Sequence, residues 1–353
     1  MTIETSQSKP NLFKRNQGLL IAILALSFLP FLVGLFEGAS PLQVWQNEAG
    51  TAKFIESLAI EIFILAIFAL SYDLLFGITG LLSLGHSMFF ATGAYLTGVL
   101  LKDFQQPLGI ILLWVLLASV VNAILFGLVL PRVKGITFAL VTLGIASVFH
   151  ILIMSRELGD FTGADVGLQG VPIPAFISPA AHRLRFYFLA LALVVFFYLA
   201  YKRFVSSPVG RVCLAIRENE DRALMLGYNT FIFKMAALTL SSFTAAVAGM
   251  VHTLYQPIVS PNTAGLLYTI TALLIVLIGG VGTLEGALIG ALVYRLLDFG
   301  LRRYLGEIAT VVNGTIYVLI VLFLPYGIVG TWRLRSFNIR QGWQRLRGFF
   351  TRS

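Results

Sequence analysis

The sequence predicts an all-α protein, a polytopic transmembrane helical bundle of about ten spans with two glycine-rich helix breaks. Composition is the first observation: 58% of the 353 residues are hydrophobic, only 12% are charged, and the mean hydropathy is +0.89. So few charged side chains cannot cover the surface of a soluble domain of this size. The second observation is that apolar runs, near the roughly 20 residues needed to cross a bilayer, recur along the chain.

Ten apolar runs are the predicted spans. They are residues 18–36, 54–78, 86–101, 108–130, 136–154, 185–205, 234–255, 266–279, 286–305 and 308–329. The first run is longer than the apolar core of a signal peptide, and no clear cleavage pattern follows it, so we expect a retained helix. The loop 155–184 is rich in Gly and Pro, which favours an irregular connector.

The net charge of +9 comes from Lys and Arg residues that cluster beside the ends of the apolar runs. Such residues orient helices and contact lipid headgroups, so we favour membrane topology over nucleic-acid binding. A cytoplasmic N-terminus and ten crossings place every basic cluster on the cytoplasmic side. The predicted division is an N-terminal tail 1–17, a transmembrane domain 18–330 with a cytoplasmic loop 206–233, and a basic cytoplasmic tail 331–353.

Two glycine-rich breaks interrupt the hydrophobic pattern. The first break is FGITGLLSLGHSMFFATGAY, residues 76–95, and the second is LIGGVGTLEGALIGALVY, residues 277–294. A broken helix in a membrane needs protein or a water-filled path to satisfy its backbone, which points to the inside of the bundle. The candidate path residues are Thr79, Gly80, Ser83, His86, Ser87, Gly279, Gly280, Gly282 and Thr283. Close helix packing through small residues, such as Gly282, Gly286 and Gly290, explains the pattern equally well.

The charged segment, residues 217–229, lies between two apolar runs. Asn219 is a suitable N-cap, Glu220 and Asp221 place negative charge on the first helical turn, and Gly227 suits the left-handed residue after the helix. We therefore predict a helix of about two turns, over residues 219–226. One side carries apolar residues, and a short isolated helix is unstable in water, so we expect docking through Ala223, Met225 and Leu226.

Ionisable residues inside the predicted spans raise the question of proton transfer. Glu61 and Asp73 are candidate proton-relay groups for a proton-coupled transporter. Their separation of twelve residues is about 18 Å along a helix, too far for a direct proton transfer. We favour structural pairing of Asp73, and of Arg295 with Asp298. The single cysteine, Cys213, excludes an intrachain disulfide and has no His or Cys neighbour for a metal site.

Motifs for nucleotide or metal chemistry are missing from the sequence. There is no Gly-Lys-Ser/Thr phosphate loop, and GGVGTLEG lacks the spacing of a dinucleotide fingerprint. There is no His-Glu-x-x-His pair. We predict no enzyme activity, no cofactor and no metal, so any energy for transport has to come from a partner.

Several motifs together resemble one family. The segment GRVCLAIRENEDRALMLGYNTFIFKM, residues 210–235, resembles the coupling loop of permease subunits of bacterial ATP-binding-cassette importers for branched-chain amino acids, specifically the M-type subunit. The resemblance continues through GLLSLGHSMFFATGAYLTGVL, KGITFALVTLGIASVF and IVLIGGVGTLEGALIGALV, in the same order. It covers the chain from about residue 54 to about residue 305.

The resemblance implies an inner-membrane permease that imports branched-chain or other neutral amino acids. Its expected partners are a second homologous permease, two cytoplasmic ATPases and a periplasmic or lipid-anchored substrate-binding protein. The ATPase-coupling role maps onto Arg217, Glu218, Asn219, Glu220, Asp221, Arg222, Ala223, Met225, Leu226 and Gly227. Close relatives of the family carry urea and short amides, so an importer of those compounds is the alternative.

Overall fold

The computed structural model describes residues 17–332, apart from residues 37, 39, 46, 48 and 49. The predicted tails therefore lie almost wholly outside the described residues. In chain order the α-helices are α1 Gln17–Phe36, α2 Pro41–Trp45, α3 Gly50–Asp73, α4 Ser87–Lys102, α5 Leu108–Gly127, α6 Ile136–Met154, α7 Gly159–Thr162, α8 Arg183–Ser206, α9 Pro208–Glu218, α10 Glu220–Met225, α11 Thr230–Tyr255, α12 Leu266–Gly279, α13 Leu284–Leu305 and α14 Ala309–Phe323. A π turn, Leu74–Ile78, continues α3, and 3-10 turns occupy Arg156–Leu158, Ala164–Val166, Ala175–Ile177, Pro261–Ala264 and Gly306–Ile308.

The described chain is an all-α bundle with a single two-stranded sheet. Strand β1, Leu168–Gln169, pairs antiparallel with β2, Ile258–Val259. The pairing ties the long loop between α6 and α8 to the residues that follow α11. The loop is otherwise made of short helical turns and irregular chain, as its Gly and Pro content predicts.

Helices occur at all ten predicted span positions, but fewer of them qualify as membrane spans by length and apolar composition. Six stretches in the described part do so: Gly50–Ile78, Leu108–Gly127, Ile136–Met154, Arg183–Ser206, Thr230–Tyr255 and Leu284–Trp332. The last stretch is 49 residues long because it runs through α13 and α14 to the helical residues 327–332, and two further apolar helices are shorter. The fold is thus a multi-pass helical bundle, and the count of ten crossings stays a prediction.

The core lies where α3, α4 and α11 pack together. Aromatic side chains fill it, among them the fully buried Phe68, Tyr72, Phe89 and Phe90. Helices α4 and α11 approach at backbone distance through glycines. A Cβ atom at Gly93 would collide with the carbonyl of Ala246, and one at Gly249 with the carbonyl of Phe90. This is the close helix approach that small residues permit in membranes.

The two glycine-rich breaks contain non-helical chain. After the π turn, residues 79–86 are not helical, and α4 starts at Ser87. In the second break, residues 280–283 separate α12 from α13. Gly280 and Gly282 both have positive φ, +123° and +75°, a conformation that side chains with a Cβ rarely adopt. Gly286 and Gly290 instead face backbone carbonyls of α12, so these two glycines serve close packing.

Candidate functional site

The charged segment begins at the end of one capped helix, α9, and contains a second capped helix, α10. The Ser207 side chain accepts a hydrogen bond from the Gly210 amide at 3.2 Å and so caps α9, with proline at its first position. Asn219 ends α9 in an extended conformation and caps α10, its Oδ1 accepting from the Arg222 amide at 2.9 Å. Gly227 has φ +83°. These bonds confirm the predicted N-cap and the predicted left-handed glycine.

Lysines from two other elements hold the acidic first turn of α10. The Lys234 ammonium, at the start of α11, lies 2.5 Å from Glu220 Oε1, and the Thr230 hydroxyl donates to the same oxygen at 3.1 Å. Lys134 lies 3.1 Å from Asp221, and this hydrogen bond raises the pKa of the exposed lysine. Sequence spacing did not reveal these partners. The ion pairs among the described residues do not include one between Glu218 and Arg222, although the two are four positions apart.

Burial corrects the predicted docking side of α10. Ala223 is only 2% exposed and packs inside the chain, whereas Met225 is 85% exposed and Leu226 is 76% exposed. Leu224, which sequence reasoning missed, is also exposed. The reason is helical spacing: Glu220 turns toward α11, and the residue three positions later shares its face. The surface open to a partner is therefore Leu224–Leu226, which we call the apolar tip.

Arg217 connects the charged segment to both breaks. Its guanidinium donates to the Gly77 carbonyl in the π turn, and it lies beside Gly282 of the second break. The Gly282 amide in turn donates to Asp73 Oδ1 at 2.7 Å. We call these four residues, Asp73, Gly77, Arg217 and Gly282, the junction. It brings together members of the two sets of residues that the sequence nominated separately.

Gly80 completes the contact between the first break and α9. It has φ +78°, and a Cβ atom there would lie 3.1–3.3 Å from the Cα, Cβ and Cγ atoms of Arg217. Any larger residue would strain the backbone and also press on α9. The requirement for glycine at this position is thus both conformational and steric.

The other candidate path residues of the first break are buried and bonded within the chain. Thr79 donates to the Leu74 carbonyl at 3.0 Å. The Ser83 hydroxyl accepts from the Gly85 amide, and Ser87 donates to the Ala264 carbonyl at 3.0 Å. His86 Nε2 lies 2.8 Å from the Ser71 hydroxyl, and its ring packs against aromatic residues of the core. In this conformation the interactions of His86 are those of a packing histidine.

In the second break, Gly279 and Thr283 also hold the chain in place. Gly279 packs against the backbone of Gly286, and the Thr283 hydroxyl donates to the Gly280 carbonyl at 2.6 Å. These contacts fix the turn between α12 and α13. They give no direct sign of a path at these residues.

Glu61 and Asp73 each have a separate partner. The guanidinium of Arg295 pairs with Glu61 and, at 2.9 Å, with Asp298, which confirms the predicted Arg295–Asp298 pair. Asp73 belongs to the junction, far along α3 from Glu61. These contacts describe two structural clusters and provide no chain of groups for a proton relay between them.

The fold and the junction define a class: a multi-pass helical membrane protein that carries a helical segment with an exposed apolar tip. Residues 54–324 match the model of a protein family described as the branched-chain amino acid transport system/permease component. The chain belongs to this family. No solved structure matches it significantly.

Curated relatives agree with the family match. The chain is 27% identical, over 77% of its length and 69% of the relative, to the high-affinity branched-chain amino acid transport system permease protein LivM of Salmonella typhimurium. It is 26% identical to a probable LivM permease of Methanocaldococcus jannaschii, over 80% of this chain and 86% of that one. It is 25% identical to the permease protein LivH of Escherichia coli, over 75% of this chain and 91% of the relative.

Proposed function

We propose that this chain is the transmembrane permease subunit of an ATP-driven importer of branched-chain or other neutral amino acids in a bacterial inner membrane. The family match across most of the helical bundle carries this proposal. Relatives named LivM and relatives named LivH both align with the chain, which supports pairing with a second, homologous permease. A periplasmic or lipid-anchored binding protein supplies the substrate, and two cytoplasmic ATPases supply the energy.

The charged segment is the proposed contact with an ATPase. Three consecutive apolar side chains at the apolar tip are unusual on a segment otherwise rich in charge, and buried apolar anchors contribute most to interfaces. Behind the tip, Lys234 and Arg217 fix the two helices to α11 and to the π turn. A displacement of the tip by an ATPase would therefore reach both glycine-rich breaks through the junction.

The proposed topology places the charged segment, both termini and the basic residues of the short loops in the cytoplasm. Ten crossings, with transmembrane helices broken at the two glycine-rich segments, satisfy this arrangement. Much of the apolar surface of α5, α6, α13 and α14 is exposed in the single chain. Lipid and the second permease are the partners that such surfaces fit.

Reconstitution tests the proposal. We expect proteoliposomes with both permeases, the ATPases and the binding protein to accumulate leucine against a gradient when ATP is supplied. Omission of the ATPases should abolish accumulation. Concentrative uptake without them would contradict the proposal and favour a secondary transporter. Calorimetric titration of the binding protein with leucine, alanine and urea tests the substrate class, and tight binding of urea alone would favour the urea or amide alternative.

A further inference from the structure

A cavity with charged walls lies between four helices of the bundle. Its volume is about 210 Å³, and its walls come from α3, α11, α12 and α13. Glu61 and Asp298 supply carboxylates, Arg295 supplies a guanidinium, and Ile64 and Leu65 supply an apolar wall. We call it the charged cavity. Glu61 is about 18 Å along α3 from the junction, so the cavity is well separated from the charged segment.

A second and larger cavity adjoins it. This loop cavity has a volume of about 520 Å³ and is lined by the loop after α7 and by the residues around β2, including Arg183 and Ser260. His252 and Gln256, at the end of α11, line both cavities. The two cavities therefore share a wall at the end of α11 opposite the charged segment.

The ion cluster around Arg295 both joins two helices and lines the charged cavity. Ionisable groups within membrane spans are costly and usually functional, and a buried ion pair is weak evidence for stability by itself. Asp298 is held from outside the cavity by Arg302 at 2.7 Å and by Asn313 at 3.3 Å. Asp298 thereby fixes Arg295 in position, with the guanidinium lining the cavity.

We propose that the charged cavity binds the zwitterion of an apolar α-amino acid on its way through this subunit, an inference that rests on the proposed function. In this structure the Arg295 guanidinium pairs with both Glu61 and Asp298. On binding, the zwitterion separates Arg295 from Glu61, and Arg295 receives the α-carboxylate through the N–H donors that Asp298 does not use, since a guanidinium has five. Glu61 receives the α-ammonium. The apolar side chain lies against Ile64 and Leu65. The formal charges of Glu61, Arg295, Asp298 and Arg302 cancel, which suits a ligand with no net charge.

Photolabelling tests this site directly. The purified permease and ATPase complex in lipid nanodiscs, without the binding protein, is irradiated with a diazirine analogue of leucine and its peptides are mapped by mass spectrometry. We expect labels on α3 near Ile64 and Leu65. Excess leucine should remove them, whereas 4-methylpentanoate and 3-methylbutylamine, which each lack one of the two charged groups, should not.

Matched variants separate binding from structure. Arg295→Lys keeps the charge but loses the fork, so labelling should fall at least about ten-fold. Arg302 also pairs with Asp298 but does not line the cavity. The Arg302→Lys variant should therefore be labelled as strongly as the wild type. Glu61→Gln should let 4-methylpentanoate compete. ATPase copurification and basal ATP hydrolysis check that each variant is assembled.

Two results would overturn the inference. One is labelling elsewhere in a complex that transports leucine, which leaves the proposed function intact. The other is an equal loss in the Arg295 and Arg302 variants, which would reduce the cluster to a structural strut. Absence of ATP-dependent uptake by the wild-type complex would instead contradict the proposed function, and the labelling pattern would still decide whether the cavity binds a zwitterion.

Discussion

Helices α9 and α10 meet in the charged segment, yet they are held very differently. Helix α9 buries Gly210, Cys213 and Ile216, and its last turn carries Arg217, whose guanidinium contacts the π turn. Helix α10 buries Ala223 alone among its six residues and exposes the apolar tip. The single asparagine between them, Asn219, is extended and serves both as the end of one helix and as the cap of the next.

If the charged segment contacts an ATPase as proposed, this difference separates two tasks in force transmission. To transmit movement, one part of the segment has to be fixed to the transmembrane helices and another part has to be free to contact the ATPase. Helix α9 is fixed to the transmembrane helices, and α10 offers the surface that is free of contacts within the chain. Variants of the two helices should therefore fail in different ways, with α10 variants losing ATPase attachment and α9 variants losing coupling while attachment remains.

Ala223→Pro should have the largest effect. The Ala223 amide donates the first helical hydrogen bond of α10, to the Asn219 carbonyl at 3.2 Å. Proline removes this donor and costs about 3 kcal/mol or more within a helix. We expect the protein to insert in the membrane, with ATPase copurification and transport both lost. Ala223→Ser, which keeps the amide, is the control, and wild-type attachment in the proline variant would remove the mechanical role of α10.

Arg217→Met should lower transport while the ATPase subunits stay attached. Methionine retains an apolar stem against Gly80 but cannot donate to the Gly77 carbonyl. Loss of a hydrogen bond from a charged donor should lower substrate uptake at least about ten-fold, while ATPase copurification stays normal. Arg211→Met, a change of an exposed arginine on the same helix, controls for charge. If the Arg217 variant also released the ATPases, the proposed division between the two helices would be wrong.

Leu226→Asp should weaken attachment to a smaller extent. The side chain is at the apolar tip and the helix backbone is unchanged, so only the contact is altered. Loss of one interface anchor costs about 1–2 kcal/mol, or about ten-fold in ATPase affinity. Binding of purified ATPase to nanodiscs measures this, with Leu226→Met as the conservative control. Equal affinities for the two variants would place the contact elsewhere.

Lys134→Gln should have the smallest effect. The pair with Asp221 is exposed to solvent, where ion pairs contribute little. Because Asp221 raises the pKa of Lys134 above its ordinary value of 10.5, the pair stabilises α10 below that pH and is lost only as pH rises through the raised pKa. Transport by wild type and variant should therefore agree from about pH 6 to about pH 9. A pH-dependent difference in that range would show that Asp221 has another partner.

Local signals predicted the local structure well. Asn219 and Gly227 are in the positions that capping rules assign, because these rules depend on a few adjacent residues. Hydropathy placed a helix at each predicted span. The family resemblance, which rests on several ordered motifs, agrees with the match to residues 54–324.

Contacts between residues far apart in the sequence could not be predicted. Arg217 meets Gly77 across 140 positions, and Glu61 meets Arg295 on another helix. Nothing in spacing indicates which of several charged residues will pair across a fold. Ala223 was assigned to the exposed side for the same reason. The pairing of Glu220 with Lys234 decides which face of this short helix is buried, and the sequence does not show that pairing. The path residues nominated from composition stay predictions.

The reciprocal glycine contacts between α4 and α11 limit how this protein can move. Gly93 faces the Ala246 carbonyl and Gly249 faces the Phe90 carbonyl, so the backbones touch at two points. Sliding one helix along the other would push a neighbouring side chain into one of these contacts. We therefore expect the two helices to move together as a single rigid body. Relative motion belongs to the elements around this pair, and distance measurements across α4 and α11 should read the same in every state of the transport cycle.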